Sequence, residues 1–270
     1  MSGPLVSIIT PVYNGAKYLP PLIESVRNQD YPNIEHVMID DGSTDGGATV
    51  EVLKSYPHLR CWSRENRGQY VTMNEGLEAA QGEIVCFISA DDVMAAGAVS
   101  SAVQFLVTHP QADGVYGTYT MIDEQGSVYW YQPLVRRAPL SWYRYLPFIG
   151  HCSFYLRKEA LIRHGLIFDA TLRYTGDYDW MVRIAQARLR IGALSQTLSQ
   201  VRWHPEQTTN TRVALIKSER DVVWGKYRVN SFLFKVINVG IDRCLIAWNI
   251  LFNHQKRQEI RAWLALRKKA

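Results

Sequence analysis

Two adjacent carboxylates, Asp91 and Asp92, follow the uninterrupted apolar run Ile84 to Ile88. Side by side, such groups repel unless a cation or a donor lies between them. A hard divalent ion such as Mg²⁺, held by one or two carboxylates and phosphate oxygens, answers that need. Taken alone, the pair also reads as a strand end followed by a helix cap. Its neighbours favour a ligand. Tyr13 follows a first apolar stretch, and Asp40 and Asp41 follow a second. An aromatic ring can stack on a base, and a carboxylate can accept from a base N–H or from ribose hydroxyls. A further carboxylate can hold a metal on a diphosphate. Together these groups suit a nucleotide-diphosphate donor.

The elements that must position them are legible as pattern. Leu5 to Thr10 reads as a strand, broken by Pro11-Val12-Tyr13-Asn14-Gly15. Residues 16–29 read as a helix, with Leu19, Leu22, Ile23 and Val26 on one face and Pro20 and Pro21 in its first turn. Glu35 to Ile39 is the second strand, and a helix over 47–55 follows. Leu59 to Ser63 is a third strand, Tyr70 to Ala80 a helix, and Ile84 to Ile88 a central strand buried on both faces. A helix over 96–108 completes four β-α units. Right-handed crossovers make this a mostly parallel, doubly wound α/β sheet, with ligands at the strands' C-terminal ends. No GxGxxG follows the first strand and no GxxxxGK[ST] occurs, so neither a dinucleotide fold nor a P-loop is expected.

The second half is less regular. Gly114 to Met121 and Ser127 to Tyr131 suggest a hairpin, Cys152 to Arg157 a strand, and 158–164 and 178–187 helices. Arg190 to Leu194 and Leu198 to Trp203 read as two strands.

The motifs in order resemble the family 2 glycosyltransferases, which have the GT-A fold. The resemblance rests on Pro11-Val12-Tyr13-Asn14-Gly15, then Ile39-Asp40-Asp41-Gly42-Ser43-Thr44-Asp45-Gly46. Asn66-Arg67-Gly68, Asn74-Glu75-Gly76 and Gly82-Glu83 leading to Ala90-Asp91-Asp92 extend it. It covers about residues 4–210 and implies an inverting, metal-dependent transfer of sugar from a nucleotide-diphosphate donor, most often UDP. The acceptor would be a saccharide or a lipid-linked molecule in polysaccharide assembly. It further implies that Tyr13 lies against the base, with Pro11 shaping the loop. Asp41 takes the base N–H, and Asp40 orients the loop or replaces it. Arg67 and Gln69 reach toward the nucleotide. Asp92 matches the family's metal-binding carboxylate for Mn²⁺ or Mg²⁺, and Asp91 contacts ribose or supports the metal. Ser89 stands where many relatives have an earlier Asp.

In Thr175-Gly176-Asp177-Tyr178-Asp179-Trp180, Asp177 matches the family's general base, with Asp179 in reserve, and Trp180 reads as core packing or as a sugar-stacking face. Arg202-Trp203-His204 resembles the late Arg-x-His segment, in which His204 completes the metal or diphosphate site. His151 precedes a strand used near the acceptor. Arg136, Arg137 and Arg144 read as a solvated face, with charge offered to an anionic acceptor as the alternative. Two other classes compete: a nucleotidyltransferase on a similar sheet, and a non-catalytic glycan- or nucleotide-binding module.

The implied organisation is a donor-binding half (1–112), an acceptor and base half (113–212) and a basic helical extension (213–270). The 270 residues carry +5 overall, with 47% hydrophobic and 20% charged residues. From Lys217 onward, twelve Lys or Arg face four Asp or Glu, which is +8 and leaves −3 on residues 1–216. An apolar stripe from Leu233 to Phe252 with basic flanks suits a helix lying on anionic lipid, on the same domain or on a second subunit. No nucleic-acid partner is expected. Cys61, Cys86, Cys152 and Cys244 are widely spaced and read as reduced. With no signal peptide evident, a cytoplasmic or peripheral membrane location is expected.

Overall fold

A computed structural model describes residues 3–131, 140–145, 147, 149–237 and 239–240. Its strands are β1 (Val6–Val12), β2 (Ile34–Asp40), β3 (Arg60–Ser63), β4 (Ile84–Phe87), β5 (Val93–Met94), β6 (Gly114–Ile122), β7 (Val128–Tyr131), β8 (Phe154–Arg157) and β9 (Ile191–Arg202). Its helices are α1 (Leu19–Arg27), α2 (Ala48–Lys54), α3 (Gln69–Ala79), α4 (Ala98–Thr108), α5 (Lys158–Arg163), α6 (Gly176–Gln186), α7 (Thr208–Thr211) and α8 (Val213–Lys226).

One sheet runs β3-β2-β1-β4-β8-β6-β9-β5, with β7 paired to β6. The first four strands are mutually parallel, in the register Val6↔Ile34, Val12↔Asp40 and Val6↔Ile84. Beyond β4 the sheet is mixed: β8 is antiparallel to β4 and β6, and β9 is parallel to β6. The unbroken apolar runs of β1 and β4 follow from burial on both faces. Ile8 and Cys86 enter one core with Leu22 and Val99, while Ile9, Val85 and Phe87 enter the other with Met73 and Trp180. Each such aliphatic side chain contributes about 1.5–3 kcal/mol on burial.

Motif residues turn out to be architecture as much as chemistry. Asn74 pairs both ways with the Phe168 backbone, at 2.8 and 2.9 Å. Glu75 accepts from Trp62 Nε1 and Arg64 Nε, both at 2.7 Å. A β-carbon on Gly76 would collide with Ile9, so glycine lets α3 lie close on β1.

Two expectations need revision. Arg190–Leu194 and Leu198–Trp203 are not separate strands but one, β9. Ser195 and Gln196, between the two expected strands, are exposed, yet the ladder continues through register shifts on either side of Thr118. Gly117 admits this, since a β-carbon there would strike the Gln196 carbonyl and Leu198. The short β5, just past Asp92, had no sequence signal; it pairs antiparallel to β9 as Val93↔Gln200 and Met94↔Ser199. The apolar stripe lies beyond the described residues from Ile241 onward, as do Arg136 and Arg137.

Candidate active site

Parallel register brings the C-terminal ends of β1, β2, β3 and β4 together, and backbone bonds continue past the strands. Asp41 N–H reaches Val12 O at 2.7 Å, Arg64 N–H reaches Asp40 O at 3.1 Å, and Ile88 N–H reaches Ile9 O at 3.0 Å. Pro11 lies on β1 opposite Ile39. Asn14 adopts a left-handed φ of 50°. Its N–H donates to Ser43 Oγ at 2.8 Å, and its Oδ1 accepts from Thr44 N–H at 2.7 Å. Tyr13 therefore stands 50% exposed at the rim, its hydroxyl 3.4 Å from Thr44 Oγ1.

The two carboxylates after β2 have different work. Asp40 Oδ1 accepts from Ser43 N–H at 3.1 Å and Ser43 Oγ–H at 2.5 Å, which holds the turn. Asp41 Oδ1 accepts from Arg64 Nη1 and from Arg67 N–H at 2.8 Å, and its Oδ2 accepts from Gly68 N–H at 2.9 Å. One lone pair on Oδ2 is left for a ligand N–H. Gly42, at φ 71°, is obligatory between them, because a β-carbon would lie 2.7 Å from Asn66 N. The Arg67 side chain is exposed, as is Gln69 at the first turn of α3.

Asp91 and Asp92 occupy the turn between β4 and β5. Asp92 is buried, and its Oδ1 accepts from Arg202 N–H at 3.0 Å. Burial and the adjacent Asp91 push its carboxyl well above the usual range. Asp91 is the more open of the two. Its Oδ2 accepts from His204 Nε2 at 3.1 Å and Gln207 Nε2 at 3.3 Å. The His204 ring rests against Tyr18, with centroids 4.7 Å apart. Buried Arg202 clamps the turn through Nε to Asp91 O at 2.9 Å and Nη1 to Asp123 O at 2.9 Å and Glu124 O at 3.1 Å. Two carboxylates and an imidazole form an oxygen-nitrogen set that suits Mg²⁺ or Mn²⁺. Among the described residues no three His, Cys, Asp or Glu side chains converge as a cage. Mg²⁺ commonly needs only one or two carboxylates, its shell being completed by phosphate and water. The residues fit such an ion bound together with a diphosphate.

Asp177 stands in the first turn of α6 with its side chain 41% exposed. Its Oδ1 accepts from Tyr178 N–H at 2.8 Å and Tyr70 O–H at 3.3 Å. Its Oδ2 faces His151 Nδ1 at 3.8 Å, and the other end of that imidazole is 3.4 Å from Ser89 Oγ. A single histidine ring thus lies between the turn after β4 and Asp177. Asp179 is 0% exposed and is held by Arg183 Nε at 2.7 Å, Lys226 Nζ at 2.8 Å and Tyr227 O–H at 2.7 Å. Burial alone raises its carboxyl, but these three partners outweigh burial and hold it below the usual range. It is an anchor that no acceptor can reach. Trp180 is equally buried among Phe87, Phe154 and Phe168, so it packs the core and offers no stacking face.

Gln207, which follows the Arg-x-His segment in the sequence, is brought to Asp91 by β9. Three contributors had no clear signal in the sequence. Arg64 follows β3 without a motif, and Tyr70 reads as an ordinary helix residue. Glu219 on α8 accepts from Arg173, Tyr174 and Thr175 N–H at 2.8–3.1 Å and from Thr175 Oγ1 at 2.9 Å, fixing the loop that enters α6.

Comparison with known proteins agrees with this geometry. The family described as Glycosyl transferase family 2 matches residues 7–165. An "Uncharacterized glycosyltransferase" of Rickettsia felis is 33% identical over 235 residues, which is 83% of this chain and 38% of that protein. The chain therefore spans well under half of that relative's length. Among solved structures, Staphylococcus aureus TarS 1–349 in complex with UDP-GlcNAc superposes with a TM-score of 0.64 at 23% identity, covering 77% of this chain and 61% of that one. The mannosyltransferase PcManGT from Pyrobaculum calidifontis, in complex with GDP-Man and Mn²⁺, gives 0.60 at 20% identity, covering 99% and 80%. The sheet has the GT-A arrangement, and the chain belongs to glycosyl transferase family 2.

Proposed function

We propose that the protein is an inverting glycosyltransferase that moves a sugar from a nucleotide-diphosphate donor, UDP-linked in the first instance, to a saccharide or lipid-linked acceptor in glycan assembly. The carrying observation is Asp177: one oxygen is saturated, while the other is open and one imidazole away from the strand that ends in Asp91 and Asp92. In the first half, Tyr13 offers its exposed ring to the base and the spare lone pair of Asp41 takes the base N–H. Asp91 and Asp92 would hold a divalent cation, with His204 beside them on Asp91 Oδ2. When bound, such an ion neutralises the departing diphosphate.

Asp177 Oδ2 takes the proton of the acceptor hydroxyl as its oxygen bonds to the anomeric carbon from the face opposite the diphosphate. The anomeric carbon–oxygen bond breaks, and its electron pair leaves on the diphosphate. A single displacement of this kind inverts the carbon. Residues 1–112 supply the donor half and residues 113–212 the acceptor half.

The first test is thermal stabilisation by UDP-, GDP- and dTDP-sugars, with and without Mn²⁺ or Mg²⁺. A metal-dependent shift that Asp92→Ala abolishes supports the donor site, and its absence with every donor removes it. Asp177→Asn is expected to keep donor binding and lose turnover by at least about 100-fold, the low end for a general base. Full turnover in that variant would overturn the assignment.

The chain past α8 is read as a lipid-facing segment. Residues 231–237 are helical and expose Phe232, Leu233 and Val236 beside Lys235. No described helix is long and apolar enough to cross a membrane. Contact would therefore be with the surface of a membrane, through apolar and basic side chains together.

A further inference from the structure

We infer that His151 is a positioning residue that ties the general base to the end of the donor strand, so that Asp177 is aimed by the same turn that carries Asp91 and Asp92. This rests on the reading of Asp177 as base.

The imidazole faces a partner at each end and is backed by a locked turn. It opens a 3₁₀ turn, His151–Ser153, at the foot of β8, and Cys152 and Ser153 of that turn are buried. Ser153 N–H closes the turn on Gly150 O at 3.0 Å. Ser153 Oγ bonds Thr118 O at 3.1 Å and Ser199 Oγ at 2.6 Å, which locks the backbone under the ring. The side chain is itself 17% exposed, so the ring has little room to turn. At one end, Ser89 belongs to the Asp91–Asp92 turn, because its carbonyl accepts Asp92 N–H at 3.2 Å. At the other end stands Asp177 Oδ2.

Chemistry then selects one tautomer. A bare Nδ1 would point its lone pair at a carboxylate, which is repulsive. Nδ1 therefore carries the proton, and Nε2 is the acceptor for Ser89 Oγ–H. Because Tyr70 and Tyr178 already fill Oδ1, the Nδ1–H takes one lone pair of Oδ2 and leaves the other for the acceptor hydroxyl. The 3.8 Å separation is longer than a hydrogen bond. Catalytic contacts of this type are commonly loose before substrate binds and tighten in the reactive complex. The ring sets the carboxylate's direction and takes no part in the bond changes.

Two measurements on the full chain test this. With ¹⁵N-histidine labelling, long-range ¹H–¹⁵N spectra report each ring's tautomer, and the His151 signals are those missing in His151→Asn. The expected result is an Nδ1–H tautomer that is lost in Asp177→Asn and weakened in Ser89→Ala. An Nε2–H tautomer in the unaltered chain, or no response to either substitution, would overturn the proposal, and this reading needs no turnover. The second measurement is release of UDP from UDP-GlcNAc, or of GDP from GDP-Man, with water as acceptor. His151→Ala is expected to lower kcat about 10- to 100-fold, as misplacing a reacting group by 1 Å does, with donor KM unchanged. His151→Asn, which restores an N–H toward Asp177, is expected to recover part of the loss. A drop in donor affinity with kcat intact would assign His151 to donor binding and sink the proposal. If Asp177→Asn is inactive while His151→Ala is fully active, only the His151 inference fails. If Asp177→Asn is fully active, the base reading itself fails.

Discussion

Asp92 pays for its place at the site with folding stability. Its carboxyl is raised by burial and by Asp91. A group whose carboxyl is raised on folding binds more protons folded than unfolded. Without a cation, stability therefore falls as pH rises above the unfolded value near 4. Asp92→Asn keeps an oxygen for Arg202 N–H and removes the like charge. The metal-free variant should melt higher than the parent at pH 7, and Mn²⁺ with a nucleotide sugar should no longer raise its midpoint; scanning fluorimetry reads both. His36 provides the opposite pH signature. It is buried against Thr10 Oγ1 at 3.0 Å, and burial with His58 nearby lowers its pKa to about 3. Unfolded histidine titrates near 6.5. Stability from this residue is complete above that pH and is lost between 6.5 and 3, at up to about 1.4 kcal/mol per pH unit. Urea titrations across that range should show the slope, and His36→Asn should flatten it. Residue types drew attention to the carboxylates that follow β2 and β4, and the parallel register does bring those strand ends to one edge. They could not separate Asp40 from Asp41, since only the fold decides which carboxylate meets Ser43 and which meets Arg64.

Among elements, α8 braces the start of α6 from outside the site. Glu219 gathers the three backbone N–H groups that precede α6, and Lys226 and Tyr227 close on buried Asp179. Glu219→Ala should cost about 2 kcal/mol, the scale of charged hydrogen bonds discounted for partial exposure. It should lower kcat more than donor affinity, since it frees the base helix and not the nucleotide loops. Chemical denaturation and steady-state kinetics on the same preparation would show both effects; an unchanged kcat would confine Glu219 to stability. Helices and central strands were legible because burial sets the 3.6-residue period of the one and the unbroken apolar run of the other. β9 was not, because Ser195 and Gln196 are polar for local reasons while Gly117, some eighty residues earlier, keeps the ladder continuous. Glu219 was equally hidden, since its partners lie more than forty positions away in sequence and share no pattern with it.

For the whole molecule, charge and exposed apolar surface are both concentrated at one end of the chain. Phe232 is 75% exposed, and the sequence from Lys217 onward carries +8. Cosedimentation with vesicles containing anionic phosphatidylserine should retain the protein and lose it with rising salt, whereas neutral phosphatidylcholine vesicles should not. Binding to neither would remove the lipid reading. The docking of α8 on α6 also has a consequence in time. During synthesis the N-terminal part of a chain is free to fold first. A ribosome that has released the protein only as far as residue 212 has delivered every carboxylate of the site, but not Glu219, Lys226 or Tyr227. Asp179 then has Arg183 alone to offset a buried charge, and a buried charge short of its partners is costly. The sheet of β1 to β4 can be finished early, while α6 is set in place only once α8 has emerged.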